Sequence, residues 1–287
     1  MKRTVLLLSA LFALGGGVLR AESQRLTVPL SDPSRPAELE VGLVMGSIYV
    51  VAGKAGEVVI EASAEDEDVD LDLECDDCPP IAGSADERDA QAGKRRLRRI
   101  PNSSFGVTAE EADNRVEIGS DSWRSPLELR IAVPPASSLN LSTVNEGEIE
   151  VTGVNGELEL HNTNGDISVR DVAGPVSANT VNGDLTVTLS AAAARQAMAF
   201  STLNGDVTLT LPAQASFDVR LRSDNGEIYS DFEIALTRRS PEVERDAGER
   251  RYRVSISKEL TGKIGDGGPE LLLRTFNGDL VLRKRGD

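Results

Sequence analysis

The feature of the sequence that most constrains its fold is a turn of Asn, Gly and an acidic residue that recurs along the chain. One copy lies in the stretch STLNGDVTLTL, from Ser201 to Leu211. The Asn residues stand at positions 145, 164, 182, 204, 225 and 277, with steps of 19, 18, 22, 21 and 52 residues. A period of about 20 residues has the length of one coil of a β-solenoid.

Apolar and polar residues alternate on both sides of each turn. The residues six and four positions before each Asn are apolar in every unit, and the residue two positions before is Thr, Ser or Asn. Alternation around a fixed turn predicts a strand, a corner and a second strand with one face inward. The small polar residues could then stack as a hydroxyl ladder inside the coil.

The recurrence of the whole unit predicts the fold class. Because one coil cannot bury its apolar face alone, the coils must stack. We therefore expect an all-β protein, a right-handed parallel β-helix (β-solenoid) of about six coils with an N-terminal β cap. An Asn-Gly turn between alternating runs is also a hairpin signal, so an antiparallel meander is the rival fold. The corners are predicted at Asn164-Gly165, Asn182-Gly183, Asn204-Gly205, Asn225-Gly226 and Asn277-Gly278.

Composition and breaks in the repeat predict the domain organisation. Residues 1–21 have a basic start, a short apolar run and small residues before Ala21, as in a cleaved signal peptide. Residues 22–133 are expected to form an N-terminal β region or cap with an acidic and basic insertion at 64–104. Residues 134–287 are expected to form the β-helix repeat domain, with a second insertion at about 237–250.

The predicted mature chain is strongly acidic. Without residues 1–21 it carries 28 basic and 47 acidic residues, a net charge of −19. Such a charge repels nucleic acid and anionic membrane surfaces and favours cations or basic surfaces. Beyond the signal peptide no segment is apolar enough to span a membrane, so we expect an exported protein of the periplasm, cell surface or extracellular space.

The two cysteines, Cys75 and Cys78, are separated by two aspartates. A local disulfide or two unpaired thiols is preferred to a redox pair or a metal site, because the neighbouring acids raise a thiol pKa. The lone His161 is expected to point outward.

Each corner carries a carboxylate at the same place, which predicts a column of acids along the coils. One interpretation is solvated acids that cap the amides of the corner. The alternative is weak Ca²⁺ binding, although the nonapeptide of calcium-binding β-rolls is absent. The candidate residues are Glu148, Asp166, Asp184, Asp206, Glu227 and Asp279. No other cofactor is predicted.

The run from Val133 through Thr143-Val-Asn-Glu-Gly-Glu148 to Phe232 resembles a bacterial "putative adhesin" family of unknown function, which carries repeated Thr-Val-Asn-Gly-Asp units after a Val-Pro strand end. The segments 267–270, 275–278 and 99–102 are similar to it as well. The resemblance covers roughly residues 38–285 and implies an exported β-helical repeat protein without assigned catalytic residues.

These features predict a non-enzymatic scaffold or adhesin-like binding module of the cell envelope, with an envelope protein or a glycan as partner. The alternative is a carbohydrate-binding or carbohydrate-active β-helix of the lyase or hydrolase kind. Such enzymes need clustered carboxylates in an aromatic-lined groove. The chain has only one Trp, three Tyr and six Phe, of which Trp123 and Tyr229 could serve as sugar platforms. The sequence does not predict an oligomeric state.

Overall fold

The computed structural model describes residues 23–64, 106–120, 126–145, 147–190, 196–237, 242–245, 252–255 and 259–286. The predicted signal peptide, both cysteines and Trp123 lie outside these ranges. Within them the chain forms 22 strands and no helix. The strands are β1 (Ser23–Pro29), β2 (Glu38–Ala52), β3 (Glu57–Ala64), β4 (Val107–Ala112), β5 (Arg115–Ser120), β6 (Leu127–Val133), β7 (Ser138–Asn145), β8 (Ile149–Thr152), β9 (Leu158–Asn162), β10 (Ile167–Val172), β11 (Val176–Asn179), β12 (Leu185–Leu189), β13 (Met198–Asn204), β14 (Val207–Leu211), β15 (Phe217–Asn225), β16 (Ile228–Ser230), β17 (Ile234–Leu236), β18 (Glu242–Arg245), β19 (Tyr252–Ser255), β20 (Leu260–Ile264), β21 (Glu270–Asn277) and β22 (Leu280–Lys284).

The strands of the repeat stack into two parallel arrays. Strands that precede a corner pair in the order β2, β7, β9, β11, β13, β21 and β15, which we call sheet B. Strands that follow a corner pair in the order β6, β2, β8, β10, β12, β14, β22 and β16, which we call sheet A. All of these pairs are parallel. The prediction of an all-β chain of stacked units is therefore confirmed, and the antiparallel meander does not describe the repeat.

Antiparallel strands cover one end of sheet A and both ends of sheet B. In sheet A, β3 pairs with β6 and β1 pairs with β3. In sheet B, β4 pairs with β5 at one end, and β20 pairs with both β15 and β17 at the other. Strands β18 and β19 pair only with each other, as a separate two-stranded sheet. Covered ends leave fewer unpaired backbone groups on which another chain could add a strand.

The core lies between the two sheets and follows the alternation of the sequence. The apolar residues six and four positions before each Asn are all buried. Phe200 and Phe217 are among the largest of the fully buried side chains. These positions are Leu139, Leu141, Leu158, Leu160, Val176, Ala178, Met198, Phe200, Val219, Leu221, Leu271 and Leu273.

Strand β2 crosses from sheet B to sheet A through a corner of its own. Its first half pairs with β7 and its second half with β8. The bend lies at Gly46, where φ is 119° and an added Cβ would lie 2.0 Å from the carbonyl oxygen of Leu127. Because a side chain cannot fit there, only glycine allows this close approach.

The spatial order of the coils departs from their order in the sequence near the C-terminus. The coil of β21 and β22 lies between the coil of β13 and β14 and the coil of β15 and β16. The 52-residue step between the last two Asn residues contains β16, β17, β18, β19 and β20. This length allows the chain to leave the outer coil of β15 and β16 and to place β20 against β15. The chain then returns to form β21 and β22 between the outer coil and the coil of β13 and β14.

Two phenylalanines test the assignment of inward and outward positions. Phe200 is 0% exposed, whereas Phe276, on the neighbouring strand β21, is 45% exposed. Phe200→Ala should lower the free energy of unfolding by about 3–5 kcal/mol, because it leaves a cavity in a close-packed core. Phe276→Ala should change it by about 0.5 kcal/mol or less. Urea unfolding followed by circular dichroism measures both, and equal losses would contradict the register.

Candidate functional site on the stacked corners

An asparagine ladder runs along the corners. The Nδ2 group of Asn182 donates to Oδ1 of Asn164 at 2.8 Å, and Asn204 donates to Asn182 at 2.7 Å. Asn277 then donates to Asn204 at 2.7 Å, and Asn225 to Asn277 at 2.9 Å. The contact of Asn164 with Asn145 is longer, 3.4 Å. The ladder continues through Asn277, in the coil of β21 and β22 that lies between two earlier coils. The Asn residues therefore share one register.

The glycines after these asparagines allow the corners to approach each other. Gly165, Gly183, Gly205 and Gly278 have φ between 143° and 152°. A Cβ on any of the four would lie 1.9–2.2 Å from a glycine carbonyl oxygen of the adjacent coil. Such a contact is impossible, so the corners require glycine for both conformation and space.

Four buried Thr and Ser side chains bond to these same glycines. The hydroxyl of Thr202 donates to the carbonyl oxygen of Gly183 at 3.0 Å, and Thr275 donates to Gly205 at 3.0 Å. Ser223 and Thr180 make the equivalent bonds to Gly278 and Gly165. The expected stack of small polar side chains inside the coil is therefore present, in one buried register. Each hydroxyl donates to a glycine carbonyl of the adjacent coil, which satisfies an acceptor inside the coil.

The acidic residues after the glycines form a second column, which we call the acid column. Oδ1 of Asp184 accepts the backbone N–H of Asp206 at 2.8 Å, and Oδ1 of Asp206 accepts that of Asp279 at 2.7 Å. Asp166 and Asp279 accept equivalent bonds. In spatial order the acid column consists of Glu148, Asp166, Asp184, Asp206, Asp279 and Glu227.

The acid column carries uncompensated charge. Among the residues that the structure describes, none of its six carboxylates forms an ion pair with Lys or Arg. Its two end members accept hydrogen bonds from tyrosines, Glu148 from Tyr49 at 2.6 Å and Glu227 from Tyr229 at 3.2 Å. The bond to Glu227 raises the pKa of Tyr229. Neighbouring coils lie about 4.8 Å apart, so the column concentrates negative charge along one edge of the solenoid.

No group of three or more His, Cys, Asp or Glu side chains in the described part of the chain is arranged to hold a metal ion. In four of the six candidate calcium residues, one carboxylate oxygen already accepts a backbone hydrogen bond. Ca²⁺ binds oxygen ligands, among them carboxylates. Weak binding of Ca²⁺ along the acid column stays a prediction.

A line of mostly apolar side chains, which the sequence pattern did not reveal, runs along the surface beside the asparagine ladder. Each residue directly precedes a corner Asn or its equivalent in β2, and points away from the core. Val44, Val144, Leu203 and Phe276 are between 44% and 51% exposed. We call this line the apolar stripe; in spatial order it consists of Val44, Val144, Thr163, Val181, Leu203 and Phe276. The signal was present, because the residue before Asn is apolar in four of the six units.

A groove lies on the outer face of sheet A, near its covered end, with a volume of about 400 Å³. Val51, Val59 and Ala132 line it together with Tyr49 and Arg130. The Arg130 guanidinium lies 4.9 Å from the centre of the Tyr49 ring. Burial, and then the hydrogen bond to Glu148, raise the pKa of Tyr49 to about 12, so its hydroxyl remains protonated at neutral pH.

Two further residues singled out in the sequence lie at the surface. His161 is exposed on sheet B, and its Nε2 lies 3.2 Å from Oε1 of Glu159. Tyr229 is exposed at the far end of sheet A. Tyr229 donates to Glu227 of the acid column and lies near Asp279, whereas the partner of His161 is Glu159, which is not a corner residue.

The strands and corners define an all-β solenoid whose repeats meet at Asn-Gly-acid turns. The chain belongs to the Toastrack DUF4097 family, whose model matches residues 60–259. No curated protein matches it.

Several solved structures resemble the chain at low identity. A putative cell adhesion protein from Clostridium sporogenes ATCC 15579 aligns with a TM-score of 0.45 and 10% identity, covering 93% of this chain and 100% of that one. A putative adhesin from Bacteroides fragilis NCTC 9343 aligns with a TM-score of 0.43 and 10% identity, covering 91% and 97%. A putative lipid binding protein from Parabacteroides distasonis ATCC 8503 aligns with a TM-score of 0.30 and 9% identity, covering 90% and 96%.

Substitutions of Asp206 separate the two roles of the acid column. Asp206→Ala removes the acceptor for the N–H of Asp279 and should lower the free energy of unfolding by about 1–3 kcal/mol. Asp206→Asn keeps an oxygen acceptor and removes one repelling charge, so it should cost less than about 1 kcal/mol. Urea denaturation at two salt concentrations measures both variants. Equal destabilisation would show that charge, and not the hydrogen bond, gives Asp206 its structural role.

Proposed function

We propose that this protein is an exported, non-enzymatic module of the cell envelope that acts as a scaffold or as an adhesin-like binding protein. In this proposal the solenoid is a right-handed β-helix of about six coils with an N-terminal β cap. The signal peptide directs it to the periplasm, the cell surface or the extracellular space. Its partner is an envelope protein or a glycan.

The observation that carries this proposal is the corner surface, by which we mean the asparagine ladder, the acid column and the apolar stripe together. The polar groups of the ladder and column bond mainly to neighbouring coils. They build a regular surface, and they leave its carboxylate charge and its apolar side chains open to solvent. A rigid surface of this kind suits binding, because little conformational entropy is lost when a partner docks.

The same geometry offers little for catalysis. General acid and base groups of a glycosidase stand at a set separation across a groove, whereas the members of the acid column stand in one row, one to a coil. Its order is set by hydrogen bonds between coils. A binding role requires only an accessible surface, which the corner surface supplies.

An extracytoplasmic location agrees with the predicted leader at residues 1–21. Within the part of the chain that the structure describes, no helix is long and apolar enough to cross a membrane. The strong negative charge keeps such a module in solution and away from anionic surfaces.

A second candidate function is carbohydrate binding, favoured by the groove on sheet A. Tyr49 and the aliphatic side chains of Val51 and Val59 offer apolar surface to the C–H face of a sugar ring. Arg25, Lys54 and Glu57 at the groove are hydrogen-bonding groups that hydroxyls or a carboxylate of a sugar can engage.

Export and partner contact can be tested in cells of the source organism. A photo-crosslinking amino acid at position 163, in the apolar stripe, should yield an adduct with an envelope component. The same amino acid at position 208, on the outer face of sheet A, is the control and should yield none. The mature chain should lie outside the cytoplasm without its first 21 residues. Retention of an uncleaved chain in the cytoplasm would contradict the proposal.

The groove is tested with a panel of neutral and acidic oligosaccharides by isothermal titration calorimetry and a hydrolysis assay. Binding that Tyr49→Ser weakens about tenfold, while Tyr229→Ser leaves it unchanged, would support the second candidate. Turnover of any oligosaccharide would overturn the non-enzymatic assignment. Equal effects of the two tyrosine variants would remove the groove as a sugar site.

A further inference from the structure

We infer that the corner surface binds a cationic amphipathic helix of a partner protein, with the apolar side chains of that helix on the apolar stripe and its Lys or Arg residues against the acid column. This inference rests on the proposed role as a binding module and names the chemistry of its partner. It follows from three properties of the corner surface: its apolar line, its charge and its fully bonded backbone.

The apolar stripe is long, and five of its six members are apolar; the sixth is Thr163. Its six members occupy equivalent positions on neighbouring coils, as the pairings around Asn145, Asn204 and Asn277 establish. At about 4.8 Å per coil, six positions span roughly 24 Å. Outward positions elsewhere on these strands are mostly Thr, Ser or charged residues. Such a row of apolar side chains, four of them about half exposed, marks an interaction surface.

The acid column determines the charge of the partner. It runs parallel to the apolar stripe, with the Asn and Gly of each corner between them, and none of its described carboxylates is paired with Lys or Arg. An anionic partner or an anionic lipid surface would be repelled. A partner with cations beside its apolar side chains gains both contacts at once.

The backbone of the corners excludes strand addition as the mode of binding. The N–H of Gly183 donates to the carbonyl oxygen of Asn204, and the N–H of Gly205 donates to that of Asn277. The N–H of Val207 likewise donates to the carbonyl of Asp279. Because these groups are bonded from coil to coil, a partner strand finds no free edge at the corners. The surface offers side chains only.

A helix fits this surface by its dimensions. Apolar side chains three or four residues apart on a helix are spaced by about 5–6 Å, close to the spacing of the coils. A helix of about 16 residues spans the length of the apolar stripe. Its flanking cations would lie over the acid column on one side, as in the docking of an amphipathic helix on a groove.

The inference is tested with the mature chain and a fluorescent helical peptide of about 16 residues, built from Leu on one face and Lys on the other. A matched peptide carries Glu in place of Lys. Fluorescence anisotropy should show binding of the Leu/Lys peptide only. The affinity should fall when NaCl is raised from about 50 mM to about 500 mM, because salt screens the acid column.

Two double variants locate the binding surface. Leu203→Ser with Phe276→Ser should weaken peptide binding about tenfold or more. Asp184→Asn with Asp206→Asn keeps the hydrogen-bond acceptors; it should weaken binding several-fold and reduce the salt dependence. The matched controls are Leu236→Ser, an exposed leucine away from the corners, and Glu159→Gln with Glu233→Gln. Neither control should change the affinity, and circular dichroism should show all variants folded.

Any of three peptide-binding results would overturn the inference: absence of binding at about 1 mM peptide, equal binding of the Leu/Glu peptide, or equal loss in the control variants. A dimer in analytical ultracentrifugation that the Leu203→Ser, Phe276→Ser variant dissolves, and that the peptide cannot displace, would also overturn it, since a second copy would then occupy the stripe. These measurements use purified protein. Their failure would leave the crosslinking test of envelope function intact, and failure of export would leave peptide binding intact.

Discussion

The close approach of glycine backbones at the stacked corners is the constraint on which the rest of the structure depends. With a carbonyl oxygen about 2 Å from where a Cβ would stand, each corner contacts the next without a side chain between them. This contact brings three sets of groups into hydrogen-bonding range. These are the asparagine amides, the carboxylates and their neighbouring amides, and the buried hydroxyls and glycine carbonyls. A larger residue at one corner would separate all three at once.

The acid column shows how a row of like charges can belong to a stable fold. Two carboxylates at the spacing of the coils repel by roughly 1 kcal/mol in water. A hydrogen bond from a backbone amide to a charged oxygen contributes about 1.5–3 kcal/mol. The hydrogen bonds therefore outweigh the repulsion, and salt weakens the repulsion further. The hydrogen bonds between coils thus account for a row of carboxylates along one edge of the fold.

The alternation around the Asn-Gly turns was enough to predict the class of fold, the inward positions and the position of the corners, because burial of one face requires a period of two. It could not predict the order of the coils. Repeats that share one register present the same edges, so the pattern does not say whether β21 follows β15 or precedes it in space. The corner in β2 was missed because it has Met45 and Gly46 in place of Asn and Gly. The apolar stripe was missed because exposed apolar residues look ordinary until their neighbours are known.

The position of the last coil has a consequence for how the molecule is made. Strands β13 and β14 pair with β21 and β22, whose residues lie about 70 positions later in the chain. Strands β15 and β16, which come between them in sequence, do not occupy that place in the stack. A chain that folds from its N-terminus can build its coils one on another as far as β14. It then has to wait for its final strands. Contacts so distant in sequence slow folding, so the stack closes only when β21 and β22 are present. These two strands therefore control the last step in the assembly of the solenoid.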